Sequence, residues 1–289
     1  MTLRASLMRF LLQEDVNFLV TNRLPRRFAT QAMGRFSRIR QPLVRDLSIR
    51  AWRFFSDVDL SDAATARFAS LHDAFTRGLV PDARPADPDA DIVASPSDAI
   101  VGAHGRVDGD RLYQIKGFPY RLGDLIPDPA VTERFRDGTY VTLRLTAGMY
   151  HRFHAPHDIR VDAVTYISGD CWNVNPIALK RVEQLFCRNE RAVIEAQLAA
   201  SGEPILLVPV AAILVASIRL TFLDTEKALR EGGPRRIACD VTIPKGTEMG
   251  WFEHGSTIIL FVPPGFELVD DIDEGKPIRA GEALLRRTR

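Results

Sequence analysis

The sequence predicts an α+β fold in which N-terminal amphipathic helices lie on a largely antiparallel β core. Three observations predict it. From Leu3 to Phe55, apolar residues recur at helical spacing with arginines between them. A stretch rich in proline and aspartate, Pro81 to Pro88, then breaks the pattern. Beyond it, short apolar runs recur every eight to twelve residues between glycine, proline and aspartate turns.

The first part reads as two or three helices, with Phe18, Leu19, Val20, Phe36, Ile39, Leu43, Leu47, Trp52, Phe54 and Phe55 as the apolar stripe. Residues 1–55 carry eleven arginines against three acids, Glu14, Asp15 and Asp46, a local charge of +8 in a chain whose net charge is only +1. The rest of the chain is therefore acidic, and the global balance supports no nucleic-acid partner. Helices of this kind lie on anionic membrane surfaces, with about 1 kcal/mol gained per arginine, or pack as a layer with a solvated basic face. The pattern admits both. Asp59 to Phe75 predicts a further helix with Ser61 or Asp62 as its cap.

The loop at 81–88 separates a basic helical segment, 1–80, expected to associate with a membrane, from a β-rich catalytic domain, 90–289. Strands are predicted at 91–94, 100–106, 111–116, 139–145, 161–167, 205–209, 211–222, 236–241, 247–251 and 257–262, with helical interruptions at Leu122 to Ile126 and Val182 to Cys187. The longest apolar run, Ile205 to Ile218, contains Pro209 and falls short of the roughly 20 residues that span a bilayer, so it reads as core strands. Glu14 and Asp15 interrupt the first apolar stretch, which argues against a signal peptide. Three cysteines without a CxxC pair point to a reducing compartment and no disulfide framework. The expected location is peripheral, on the cytoplasmic face of a membrane.

Three short motifs carry chemistry. His254-Gly255-Ser256-Thr257 places a Gly-Ser bond at the start of the apolar run Ile258 to Val262. A serine hydroxyl held against the preceding carbonyl can convert that amide to an ester, whose elimination breaks the chain, and glycine leaves the carbonyl unshielded. By itself the motif is also an ordinary turn into a strand. Tyr150-His151-Arg152-Phe153-His154-Ala155-Pro156-His157 holds three of the six histidines in what reads as a tight turn. Metal ligation is the weaker reading, because Pro156 forbids a regular helix through His157 and neither cysteines nor carboxylates complete a zinc set. Imidazoles there can serve as base and proton donor. Asp98, in the turn Ser95-Pro96-Ser97-Asp98-Ala99, joins His154 and Ser256 as the acid, base and nucleophile of a triad.

With these residues in view, the chain resembles the phosphatidylserine decarboxylase family of pyruvoyl-dependent enzymes over almost its whole length. The matching stretches are Leu24-Pro25-Arg26-Arg27, Phe75-Thr76-Arg77, Ala83-Arg84-Pro85, Ser95 to Ala99 and Lys116-Gly117. They continue with Leu143-Arg144-Leu145 leading into Tyr150 to His154, then Asn173-Val174-Asn175-Pro176, Asn189-Glu190-Arg191, and Gly250-Trp251-Phe252 before Gly255-Ser256-Thr257. The resemblance implies a proenzyme that cuts itself between Gly255 and Ser256 into chains 1–255 and 256–289, converting Ser256 into a pyruvoyl cofactor. Carried over position by position, Ser256 is nucleophile and cofactor precursor, His154 its base, and Asp98 the residue orienting His154. His151 would transfer a proton to the product carbanion. The pyruvoyl ketone would form a Schiff base with the amine of phosphatidylserine and release CO2 and phosphatidylethanolamine, with neither pyridoxal phosphate nor metal. A phospholipid substrate, a peripheral membrane contact and a homodimer are further implications. Glu190 and Arg191 are expected to form a structural pair in the core.

The chain departs from the family at His254, where leucine is usual, at Ala99, where glycine is usual, and at Ala147 and Met149, where proline and aspartate are usual. Ala211 to Ile218 replaces a glycine-rich segment. These departures keep open a pyruvoyl decarboxylase for another amine, either a free amino acid or another serine-headed lipid. An unprocessed, non-catalytic membrane-binding relative is the second alternative, opposed by the presence of Asp98, His154 and Ser256.

Overall fold

The computed structural model describes residues 13–19, 21, 26–113, 118–213, 218–225, 235–253 and 256–288. Among the described residues four helices come first: α1 (Glu14–Phe18), α2 (Arg26–Ser37), α3 (Pro42–Phe55) and α4 (Leu71–Phe75). Strands β1 (Ile92–Ala94), β2 (Ala99–Arg106), β3 (Arg111–Tyr113) and β4 (Pro119–Arg121) precede two short helices, α5 (Leu122–Leu125) and α6 (Pro129–Glu133). Then come β5 (Thr139–Leu145), β6 (Arg152–His154), β7 (Ile159–Ile167), α7 (Pro176–Leu179), α8 (Leu185–Arg188), β8 (Arg191–Leu198) and β9 (Pro204–Ala211). The chain closes with β10 (Ile218–Leu220), β11 (Arg235–Ile243), β12 (Glu248–Phe252), β13 (Ser256–Val262), β14 (Phe266–Leu268), β15 (Pro277–Ile278) and β16 (Ala283–Arg287). The architecture is the α+β arrangement read from the sequence.

The organising element is an eight-stranded antiparallel sheet in the order β11-β7-β8-β9-β13-β5-β2-β15. Strand β13 lies inside it, paired with β5 on one side and β9 on the other. Its alternate residues feed two cores: Ile258, Leu260 and Val262 enter one, Ile259 and Phe261 the other. A strand buried on both faces reads as an unbroken apolar run, which is what Ile258 to Val262 is. A smaller sheet, β10-β12-β6, holds the segment just before β13.

Several expectations are corrected. The helix foreseen from Asp59 shrinks to Leu71–Phe75, capped by Ser70, whose hydroxyl accepts from Asp73 N at 3.1 Å. Upstream, Asp59 Oδ1 takes the Ser61 amide at 2.9 Å and Thr65 Oγ1 takes that of Arg67 at 3.2 Å, local bonds that compete with a helix. Strand β8 was not foreseen because its Ala, Glu and Gln are helix formers; pairing with β7 and β9 overrides that preference. The short strands β4, β6 and β14 to β16 and helices α6 and α7 also lie beyond the sequence reading. Strand 211–222 divides, ending at Ala211 and resuming at Ile218. Leu24, Pro25, residues 114–117 with Lys116 and Gly117, Leu214 to Ser217, His254 and Gly255 lie outside the described residues.

Helices α2 and α3 pack on the β domain through one face. Trp52 Nε1 donates to Ala147 O at 3.0 Å, Arg38 grips both carboxylate oxygens of Glu253 at 2.8 Å, and α4 packs against both helices. These helices still leave Phe28, Phe36, Ile39, Leu43, Leu47, Phe54 and Phe55 in contact with solvent. Among the described residues no helix is long and apolar enough to cross a membrane.

Candidate active site

Tyr150 to His157 is not a tight turn throughout: Arg152–His154 is strand β6, paired with β12 as Trp251↔Arg152, Gly250↔Phe153 and Glu248↔His154. His151, Phe153 and Ala155 are buried and alternate with the partly exposed Arg152 and His154. In extended backbone, residues three apart face opposite sides. The two histidines therefore enter different surroundings.

His154 faces a polar cavity of about 590 Å³ whose lining includes Arg84, Tyr150, Arg152, Gly246 and Glu248. Its Nδ1 lies 2.8 Å from the Gly246 carbonyl, which can only accept, so Nδ1 carries the proton. Nε2 keeps its lone pair, and the Tyr150 hydroxyl donates to it at 3.0 Å. Burial holds the imidazole below its ordinary 6.5, opposed by the Gly246 carbonyl and the charges of Glu248 and Asp98. A neutral ring in one tautomer is a competent base.

Asp98 is gripped by Arg84, with Nε and Nη2 each 2.7 Å from a carboxylate oxygen, and also accepts from Ala280 N at 3.0 Å. Arg84 reaches Asp62 at 3.0 Å and lies over the Tyr150 ring, 5.9 Å from its centroid. Asp98 thus meets His154 through its field and through Arg84 and Tyr150. The hydrogen bonds that orient the imidazole come from Gly246 and Tyr150.

Ser256 opens β13, opposite Leu145 of β5 and Ala211 of β9. It is fully buried, and among the described residues its Oγ has no hydrogen-bond partner; the same holds for the adjacent Thr257 Oγ1. Leaving a buried hydroxyl unsatisfied costs about 1–3 kcal/mol, which marks a position held for something other than stability. Ser256 borders a largely apolar cavity of about 670 Å³ between the sheet and helices α2 and α3, walled by Met33, Phe36, Trp52, Phe55, Phe75 and Val174. His151 stands behind that wall, its ring 4.0 Å from that of Phe75, with Nδ1 donating to Met149 O at 2.8 Å. Phe252 N donates to His151 O at 2.9 Å, tying this histidine to the segment leading into Ser256.

The structure therefore groups Asp98 with His154 and Ser256 with His151, in neighbouring cavities separated by β6 and β12. Among the described residues the triad members share no direct hydrogen bond. Sequence reasoning gave no role to Tyr150, Arg84 or Phe75, although all three stand in motifs it singled out. It had no sign of Gly246, which acts through its backbone. Thr76 O accepts from Arg152 Nε at 2.9 Å, and the buried Arg77 lies over Trp52, so Phe75-Thr76-Arg77 is a brace joining α4 to β6. Glu190 and Arg191 are not a pair. Tyr166 donates to Glu190 at 2.6 Å, while Arg191, the first residue of β8, donates to the carbonyls of Leu125, Cys187, Asn189 and Asp124, so the two neighbours serve different partners. Among the described residues no group of three or more His, Cys, Asp or Glu is placed to hold a metal.

A family model described as phosphatidylserine decarboxylase matches residues 71–286. The chain is 36% identical over 271 residues to the phosphatidylserine decarboxylase proenzyme of Anaeromyxobacter sp. (strain K), covering 90% of this chain and 94% of that protein. It is 32% identical over 273 residues to the proenzyme of Erwinia tasmaniensis, covering 90% and 91%, and 34% identical over 274 residues to that of Chromobacterium violaceum, covering 90% and 95%. The family model spans every strand of the central sheet, and on these matches the chain belongs to the phosphatidylserine decarboxylase family of carboxy-lyases.

Proposed function

We propose that the chain is a proenzyme that cleaves itself between Gly255 and Ser256 and then decarboxylates phosphatidylserine to phosphatidylethanolamine and CO2 at a membrane surface. The observation that carries this reading is the buried, unsatisfied Ser256 Oγ beside an apolar cavity at the head of β13. In processing, Oγ bonds to the Gly255 carbonyl carbon as the peptide C–N bond breaks, and the serine proton passes to the freed amine. Removal of the Cα proton of residue 256, with the ester carboxylate leaving from Cβ, then forms the Cα=Cβ double bond and releases chain 1–255. Hydrolysis of the dehydroalanine left at position 256 expels ammonia and leaves a pyruvoyl group. Position 256 fits such a group, since its side chain already faces a cavity that the protein does not satisfy with hydrogen bonds. A ketone there supplies an electrophile for the substrate amine and a sink for the electrons left by CO2.

The chain's own residues take the remaining roles. The family resemblance makes His154 the base for Ser256; its neutral state and fixed tautomer suit that role, and the two side chains, which share no direct hydrogen bond, must come together across β6 for the proton to pass. Asp98 is a positioning residue acting through Arg84. His151, behind Phe75, delivers the proton that replaces CO2. Residues 90–289 form the catalytic part, and residues 1–80 hold it to the cytoplasmic face of a membrane through α2 and α3. The apolar cavity walls favour a substrate with acyl chains over a free amino acid.

Intact mass tests the first step. Wild type is expected as two chains, with residues 256–289 bearing a blocked N-terminus, whereas Ser256→Ala stays whole at 32.3 kDa. A wild type that also stays whole under active conditions overturns self-processing. Processed protein given phosphatidylserine in detergent is expected to release CO2 and to leave free serine untouched. The reverse pattern would assign the soluble substrate.

A further inference from the structure

Helix α3 has two working faces. Ser48, Ala51, Trp52 and Phe55 look into the Ser256 cavity. The opposite face, with segment 60–68, encloses a second cavity of about 510 Å³ that receives Arg45, Arg50 and Arg53 from the helix and Arg67 from the segment. Asp46 is the sole carboxylate in its lining and is engaged by Arg45 at 2.7 Å. Arg50, Arg53 and Arg67 make no ion pair with a carboxylate among the described residues. Asp46 offsets one of the four charges, which leaves three arginines without a carboxylate partner lining one concavity, a net positive field that favours an anion there. Ile49 and Phe68 supply an apolar floor beneath the charges.

We infer that this arginine-lined cavity is a phosphate-binding site, separate from the Ser256 cavity and taking the phosphate group of an anionic lipid or free phosphate. Guanidinium groups match phosphate oxygens in bidentate geometry and keep their charge at every physiological pH. The position suits the headgroup of a lipid, since Leu43, Leu47 and Phe54 on the same helix are exposed and the helix is one of the two proposed above to face the membrane. The inference rests on that orientation only for the lipid source, and on neither processing nor decarboxylation.

The test therefore uses full-length Ser256→Ala protein, so that failure of the enzymatic reading leaves it standing. Arg50, Arg53 and Arg67 are changed together to Gln, and a charge-matched control changes the exposed Arg106, Arg121 and Arg136. Binding is measured to inorganic phosphate by thermal shift, and to phosphatidylcholine vesicles with and without phosphatidylglycerol by flotation. Loss of about fivefold per arginine, on the order of a hundredfold in all, is expected for the site variant against the anion it recognises. A saturable response to inorganic phosphate that the site variant loses assigns free phosphate. A loss confined to phosphatidylglycerol vesicles assigns the lipid headgroup. Equal losses in the control, or unchanged binding in the site variant, overturn the proposal. If the triple variant does not fold, Arg50→Gln and Arg53→Gln, both at exposed helix positions, are compared singly with Arg136→Gln.

Discussion

His154 shows how one residue's surroundings set its chemistry. Burial lowers its pKa, so the unfolded chain takes up a proton first as pH drops below 6.5; His154 contributes stability above that value and loses it below. The same shift keeps the ring neutral, and so basic, at pH values where a free imidazole is charged. The processing rate, followed on denaturing gels, is expected to hold from mildly alkaline pH down past 6.5 and to fall only in more acid buffer. A midpoint above 6.5 would refute the buried neutral base. His154→Gln is expected to slow processing on the order of 100-fold or more. Glu190 carries the opposite sign. Burial raises its carboxyl above 4.5 despite the Tyr166 hydrogen bond, so the unfolded chain ionises first as pH rises, and the native state loses stability through that window. Glu190→Gln keeps an acceptor for Tyr166, and its urea midpoint is expected to gain on wild type between pH 4.5 and neutrality; a pH-independent difference would contradict this.

At the scale of elements, β6 and β12 hold the site together, and their contact depends on a missing side chain. A methyl on Gly250 would stand 2.9 Å from Phe153 Cζ and collide with the Arg219 carbonyl of β10. Gly250→Ala is therefore expected to pry β10 from β12 and lower stability by about 1–3 kcal/mol in urea denaturation, and an unchanged midpoint would show that the sheet gives way. The sequence marked Gly250-Trp251-Phe252 by resemblance without supplying this reason. It also made the most of strands whose two faces differ or are both apolar, such as β5 and β13. Strand β6 is hidden in the sequence, because the two-residue alternation of His151, Phe153 and Ala155 is short and overlaps histidines spaced by three. The sequence overextended α4, because Asp59 and Thr65 satisfy neighbouring amides themselves.

At the scale of the molecule, charge and apolar exposure coincide. Among the described residues, eight of the ten exposed large hydrophobic side chains fall between Leu19 and Phe55, in the segment that carries the +8 charge. Helices α2 and α3 pack on the domain, the layer that one reading of the basic pattern expects, and their exposed apolar residues are those proposed to meet the membrane. Vesicle binding is expected to weaken sharply between 0.1 and 1 M salt, as the screening length shrinks from about 10 Å to about 3 Å, with residual binding left to the exposed Phe and Leu side chains. Binding indifferent to salt would rule out the electrostatic part. The sequence by itself determined the fold class, the basic helical leader and the motifs that place the chain in its family, because these are properties of composition and local order. Only the tertiary structure decided which cavity each motif residue faces. Strand alternation sends His151 and His154 to opposite sides, Arg84 captures Asp98, and among the described residues Ser256 is left unsatisfied against an apolar wall, because those outcomes depend on contacts between separate elements, such as β6 with β12 nearly a hundred residues on, that local order does not specify.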